Sequence, residues 1–146
     1  MGVFATMPKG VRTVLETVVT LAVALAIAWL AQAFVIKPYR VPTPSMVPTL
    51  LPGDWALAAA GGRMTREDVV VVEHPGRPGY EMVKRLVALP GDTVQKGRVL
   101  GPGEFWVEGD HAGSSTDSRQ FGPVSMDEIK ARVLLVYWPP ERRRLL

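Results

Sequence analysis

The chain has 146 residues, 47% of them hydrophobic and 21% charged, which suits one compact domain plus an appendage and is short for two full domains. Its 17 Lys and Arg against 14 Asp and Glu leave a net charge of +3, too small a surplus to point to nucleic acid. The absence of cysteine excludes disulfides, thiolate catalysis and Cys-bound zinc, and His74 and His111 stand too far apart for a metal-ligand spacing; no cofactor and no metal are expected.

Residues 17–36, from Thr17 to Ile36, carry no formal charge and are bounded by Glu16 and Lys37. As a helix rising 1.5 Å per residue, such a run crosses a hydrocarbon core of about 30 Å. Trp29 and Gln32 fit an interfacial position near one end. The same stretch, with Lys9 and Arg12 before it and Ala31-Gln32-Ala33 near its end, has the form of a removable export signal cut at Ala33. The retained anchor is preferred because the apolar run continues through Phe34, Val35 and Ile36 before Lys37 and Arg40 arrive. Basic residues flank both ends, so charge does not orient the segment. The expected organisation is a short tail over 1–16, a transmembrane anchor over 17–36 and an exported domain over 37–146.

The segment Val41-Pro42-Thr43-Pro44-Ser45-Met46-Val47-Pro48-Thr49-Leu50 follows. Its three prolines predict a stiff, extended backbone with no helical option, suited either to a stalk or to holding the Ser45 hydroxyl at one point. Beyond it, short apolar stretches alternate with turns rich in Gly and Pro, which number 14 and 13. Strands are predicted at 55–60, 69–73, 81–89, 94–100 folded about Gly97, 105–108 and 132–138. Leu-Pro-Gly-Asp occurs at 51–54 and again at 89–92, with type II turn chemistry. Four consecutive valines, Val69 to Val72, predict burial on both faces. One helical turn is expected at Ser125-Met126-Asp127-Glu128, which has capping-box spacing. The reading is an all-β, compact, antiparallel domain with coiled sheets, preceded by one transmembrane helix.

Alternation along 81–89 puts Lys84 on one face with Met82, Leu86 and Ala88, and Arg85 on the other with Val83 and Val87. One of the two cations must lie among apolar neighbours. A buried lysine lowers its pKa and can then serve as a general base; an edge-strand lysine in solvent is the plainer alternative. The loop Gly109-Asp110-His111-Ala112-Gly113-Ser114-Ser115-Thr116-Asp117-Ser118-Arg119 is dense in small polar residues, and Asp117 with Arg119 can close an ion pair that holds it. His74, in a Glu-His-Pro-Gly turn, is expected in solvent. No Gly-x-Ser-x-Gly elbow surrounds any serine, which argues against a Ser-His-Asp hydrolase.

Together, Pro42-Thr43-Pro44-Ser45-Met46-Val47-Pro48-Thr49-Leu50, the run Val83-Lys84-Arg85-Leu86-Val87-Ala88-Leu89-Pro90-Gly91-Asp92, and Gly109-Asp110 followed by Ser115-Thr116-Asp117-Ser118-Arg119 resemble the boxes of bacterial type I signal peptidases. They stand in that family's order, after an N-terminal anchor. The resemblance implies a Ser45 nucleophile, Lys84 as its general base, oxyanion donors from the Ser45 N–H and the Thr43 hydroxyl, Ser115 orienting the lysine, and Asp117 with Arg119 as structural support. It also implies that Val41, Met46, Leu50, Met82 and Val83 line shallow pockets for the small residues of an A-x-A site. Expected partners are signal peptides of exported preproteins and the lipid bilayer. The expected state is a monomer in the cell membrane, single-pass, with the N-terminus cytoplasmic and the domain on the outer face. Trp55, Phe105 and Trp106 could rest that face on lipid, although core packing suits each of them better. Where the family has Asn-Arg-Asp after Gly-Asp, this chain has His111, Ala112 and Gly113. A tethered domain that binds exported peptides without cutting them, and a processing peptidase with few substrates, are the competing readings.

Overall fold

The computed structural model describes residues 9–33 and 36–146, which form two units. The first is helix α1, Lys9–Ala33, in which Gly10–Ile27 is long and apolar enough to cross a membrane. The helix begins ahead of the predicted anchor because Arg12 and Glu16 pair along it at 2.8 Å, one helical turn apart. Phe34 and Val35, part of the predicted anchor, and residues 1–8 of the predicted tail lie outside the described residues. Ile36, read as the last anchor residue, opens a strand of the second unit.

That unit is the predicted antiparallel β-domain. Its strands are β1 Ile36–Arg40, β2 Trp55–Ala59, β3 Val69–Glu73, β4 Glu81–Ala88, β5 Glu104–Glu108, β6 Val124–Ser125, β7 Ile129–Trp138 and β8 Arg144–Leu145. They form a curled sheet in the order β1-β2-β7-β3-β4-β5-β6, with β8 added to β7, and every pairing is antiparallel. A single short helix, α2 Ser118–Phe121, follows β5.

Strand β3 shows why the sheet curls around two cores. All four valines are buried. Val69 and Val71 enter one cluster with Val41, Met46 and Leu50; Val70 and Val72 enter another with Leu86, Phe105 and Val107. Period-two alternation delivers each pair to opposite faces, and a strand covered on both sides has no place for polar residues.

Both Leu-Pro-Gly-Asp segments turn as predicted. Asp54 N–H donates to Leu51 O and Asp92 N–H to Leu89 O, each at 3.0 Å, with Gly53 and Gly91 at φ +94° and +90°. In each copy the Asp carboxylate also accepts the Leu backbone N–H, at 2.9 and 2.7 Å. The turn at Met126–Glu128 likewise has its capping box.

Several sequence expectations change: α2, formed where a loop was expected because Asp117 caps it, and the short β6 and β8 were not foreseen. Residues 94–100 form no strand: one bridge joins Thr93 and Val99, and Gln95–Gly97 is a 3-10 turn with Lys96 and Gly97 at positive φ. The chain does fold back about Gly97, with Val94 N–H donating to Arg98 O and Leu100 N–H to Asp92 O, each at 2.8 Å, but the arms are too short for a regular strand. The proline segment is not wholly extended, since Pro44–Met46 makes a 3-10 turn. Proline is compatible with the first position of a helical turn; its restriction falls on the preceding Thr43, which is extended at φ −124°, ψ 157°. Strand β1 was not foreseen, and it tolerates Pro38 because it lies at the sheet edge. Phe105 and Trp106 are buried, as the preferred core packing requires, but Trp55 departs from it and is exposed beside Tyr137.

Candidate active site

A cleft of about 290 Å³ opens between the Pro44–Met46 turn and β4, and both Ser45 and Lys84 line it. Ser45 is held from three sides. Val47 N–H closes its turn onto Pro44 O at 3.1 Å, and Leu50 N–H donates to Met46 O at 2.8 Å. The Ser45 carbonyl accepts the His111 N–H at 3.0 Å, which ties the turn to the Gly109–Arg119 loop. Its hydroxyl lies 3.2 Å from Thr43 Oγ1.

Lys84 is 3% exposed and Ser45 6%. The predicted alternation holds: Lys84, Leu86 and Ala88 are buried, whereas Val83, Arg85 and Val87 are half-buried. Burial pushes the Lys84 amine below its ordinary lysine range; Asp117 opposes this and Arg119 reinforces it. An amine held this way sheds its proton more readily than one in water and can accept a proton from a neighbouring hydroxyl.

Arg85 points the other way and clamps the site from behind. Its guanidinium grips Asp110 through Nε at 2.7 Å and Nη2 at 2.8 Å, reaches Thr49 Oγ1 at 3.0 Å, and donates to Glu67 O at 2.8 Å. One arginine thus joins β4, the segment after the Ser45 turn and the start of the Gly109–Arg119 loop. The roles of Asp110 and Thr49 were missed. The opposite facing of the two cations signals that Arg85 needs a partner, but nothing local names one 25 residues away.

Asp117 organises the loop. It is fully buried, caps α2, and takes Arg119 Nε at 2.8 Å and Nη2 at 2.5 Å, the ion pair predicted from sequence. Ser115 Oγ donates to Asp117 Oδ2 at 2.6 Å and the Gly109 N–H donates to the same oxygen at 2.9 Å. Burial works to raise this carboxyl, yet the donors from Arg119, Gly109 and Ser115 prevail and lower it to about 2. Ser115 therefore spends its proton on Asp117 and keeps its lone pairs to accept. His111, Ala112 and Gly113 are exposed, so the departure from the family pattern falls at the surface, and the loop rests on Asp110 and Asp117 instead.

Val41, Met46, Met82 and Val83 line the cleft. Leu50 is fully buried in the core behind them and is absent from the cleft wall. His74, expected in solvent, is half-buried, packs on Phe121 with ring centroids 5.0 Å apart, and lines the cleft. Tyr39, Arg40 and Arg77 line it too and were not foreseen. Among the described residues, no three His, Asp or Glu gather where they could hold a metal ion.

The sequence matches the family of signal peptidases, peptidase S26, over residues 14–99 and 93–138. It is 36% identical over 138 residues to mitochondrial inner membrane protease subunit 2 of Mus musculus, covering 83% of this chain and 77% of that protein. It is 37% identical over 142 residues to mitochondrial ATP-independent inner membrane protease subunit 1a of Arabidopsis thaliana, covering 86% and 84%. A third relative, mitochondrial inner membrane protease subunit 1 of Schizosaccharomyces pombe, is 38% identical over 109 residues, covering 66% and 69%.

Proposed function

We propose, from the premise that the chain belongs to the signal peptidase family, peptidase S26, that it is a membrane-anchored serine endopeptidase working through a Ser45–Lys84 dyad. The observation that carries this reading is a lysine buried in the same cleft as a serine hydroxyl. Lys84 Nζ takes the Ser45 proton as Ser45 Oγ attacks the scissile carbonyl. The Ser45 N–H and the Thr43 hydroxyl receive the developing oxyanion. The protonated Lys84 then gives its proton to the departing amine, leaving an acyl ester on Ser45, and finally activates the water that hydrolyses it. The apolar walls of Val41, Met46, Met82 and Val83 suit small side chains, so the reading extends to A-x-A sites in signal peptides of exported precursors. Arginine does not deprotonate and cannot replace the base.

The test is cleavage of a purified precursor bearing an Ala-x-Ala site, by the full chain in detergent. Wild type cuts after the second Ala, with a rate rising through one ionisation as pH increases. Ser45→Ala, Lys84→Ala and Lys84→Arg do not cut. Full activity in Lys84→Ala overturns the dyad; a folded wild-type chain that binds the precursor without cutting it replaces the enzyme with a binding domain.

The relatives' names supply two refinements. They are called subunits of inner membrane proteases of mitochondria, which favours an assembled enzyme over the expected monomer and an organellar inner membrane over the cell membrane of a bacterium. Light scattering of the detergent-solubilised chain decides the first. For the second, the reading requires α1 in a bilayer with the domain on the side away from the tail, and protease accessibility in intact against permeabilised vesicles tests that placement.

A further inference from the structure

The cleft is chemically mixed. The apolar Val41, Met46, Met82 and Val83 share its lining with Arg40 and with His74, Arg77 and Glu81, which stand on the β3–β4 hairpin up to the first residue of β4. Arg77 stands on the β3–β4 loop, whose backbone is fixed: His74 N–H donates to Tyr80 O at 2.8 Å, Arg77 N–H to His74 O and Tyr80 N–H to Arg77 O, both at 3.0 Å. The Gly79 N–H is held by Glu73 Oε1 at 2.8 Å, and His74 Nδ1 accepts the Gly76 N–H at 3.0 Å. The loop is a built wall of the cleft.

The charges here do not cancel. Glu81 is already engaged by the Tyr39 hydroxyl and lies in the field of Lys130. Glu73, on the same hairpin, is paired with Lys130 at 2.7 Å. Arg40 and Arg77 are exposed, and neither joins any of the ion pairs formed among the described residues. Two cations thus line the cleft outside every ion pair of the described residues, with Glu81 the one carboxylate that lines it beside them.

We propose that Arg40 and Arg77 form a specificity subsite that selects substrates with an acidic side chain four to six residues before the cut. The placement rests on the peptidase reading above, in which Met82 and Val83 border the pockets for the small residues preceding the scissile bond. An extended peptide beside β4 advances about 3.3 Å per residue. Glu81, three residues before Lys84 on the strand, is therefore about 10 Å from the chemistry; Arg77, on the loop that precedes β4, lies beyond that level, and Arg40 follows Tyr39, whose hydroxyl reaches Glu81. A carboxylate arriving there meets two guanidiniums against the single carboxylate of Glu81, while a lysine meets a net positive charge. The pairs form in contact with water, so the selection is modest and salt-sensitive.

Three precursors that share one Ala-x-Ala site and differ only by Glu, Gln or Lys at the fifth residue before the cut test this with the full chain in detergent. The expected order of kcat/KM is Glu over Gln over Lys, with the extremes differing by about tenfold at low salt and converging at high salt. Arg77→Glu with Arg40→Glu reverses the order; both side chains are exposed and unpaired, so folding does not depend on them. Equal rates on the three precursors overturn the subsite while leaving the peptidase intact. So does an unchanged order in the double variant. Failure to cut even the Gln precursor overturns the peptidase reading itself, and the subsite with it.

Discussion

A Cβ placed on Gly109 would fall 2.6 Å from the Ser45 carbonyl oxygen. The same Cβ would meet Ser115 Oγ at 2.2 Å. Gly109 therefore lets the loop backbone touch the Ser45 turn, which the hydrogen bond from His111 N–H to Ser45 O then fastens. Because the clash is with backbone, rotamer change cannot relieve it. Gly109→Ala is expected to cost about 1–3 kcal/mol of stability and to lower kcat by about 100-fold through displacement of Ser45. Gly113→Ala, whose Cβ meets nothing within 4 Å, changes neither. Thermal melts and cleavage rates of the two variants check both statements.

Lys84 is a stability liability. Its folded-state pKa is lowered, chiefly by burial, so across the range between the folded and unfolded pKa values the unfolded chain binds more protons. Stability therefore rises with pH there, and below that range the buried charge costs free energy. Lys84→Met fills the same space without the amine. It is expected to abolish cleavage yet gain about 1 kcal/mol or more at neutral pH, and to lose the upward slope at alkaline pH. Urea denaturation at pH 7 and above, alongside the cleavage assay, measures both.

Asp117 runs the opposite way. Its carboxyl is lowered to about 2 in the folded chain, against an ordinary value of 3.8. The stability it contributes is complete above the ordinary value and is lost as pH falls through about 2. Asp117→Asn leaves the Arg119 guanidinium only the more distant Glu108 carboxylate, 3.8 Å away, and weakens the acceptor for Gly109 and Ser115. A loss of about 3 kcal/mol is expected at pH 7, with no further loss from this position on acidification. Stability measured from neutral to strongly acidic pH separates variant from wild type.

Thr43 and Ser45 hydroxyls lie 3.2 Å apart. Under the proposed chemistry, Thr43→Val removes a donor to the oxyanion and should lower kcat by about 10²–10³-fold, with little change in KM. Thr43→Ser should recover most of the rate. An effect confined to KM would instead mark Thr43 as a binding residue.

Local chemistry made part of this molecule legible from the sequence. The two Leu-Pro-Gly-Asp turns need only their own four residues, because Gly takes the positive φ and Asp folds back onto the Leu N–H. Val69 to Val72 announce burial on both faces for the same reason: period-two geometry is a property of any strand. The opposed faces of Lys84 and Arg85 follow likewise, and so does the Asp117–Arg119 pair, two residues apart. Strand β1 was hidden because its proline and flanking cations read as a boundary, and an edge position is what makes them acceptable. The 94–100 stretch misled because its apolar residues suggested a strand that its length could not support.

The sequence by itself singled out the groups proposed to carry the chemistry, through the family boxes they stand in, and required one cation of the Lys84–Arg85 pair to be buried, since residue type and alternation suffice for that. Only the tertiary structure decided what each cation meets. Lys84 found the cleft it shares with Ser45, Arg85 found Asp110 and Thr49, and Gly109 closed against the Ser45 carbonyl. Those contacts join segments 25 to 64 residues apart. They are chosen by how a curled sheet buries its two apolar faces, and no short window of sequence contains that choice.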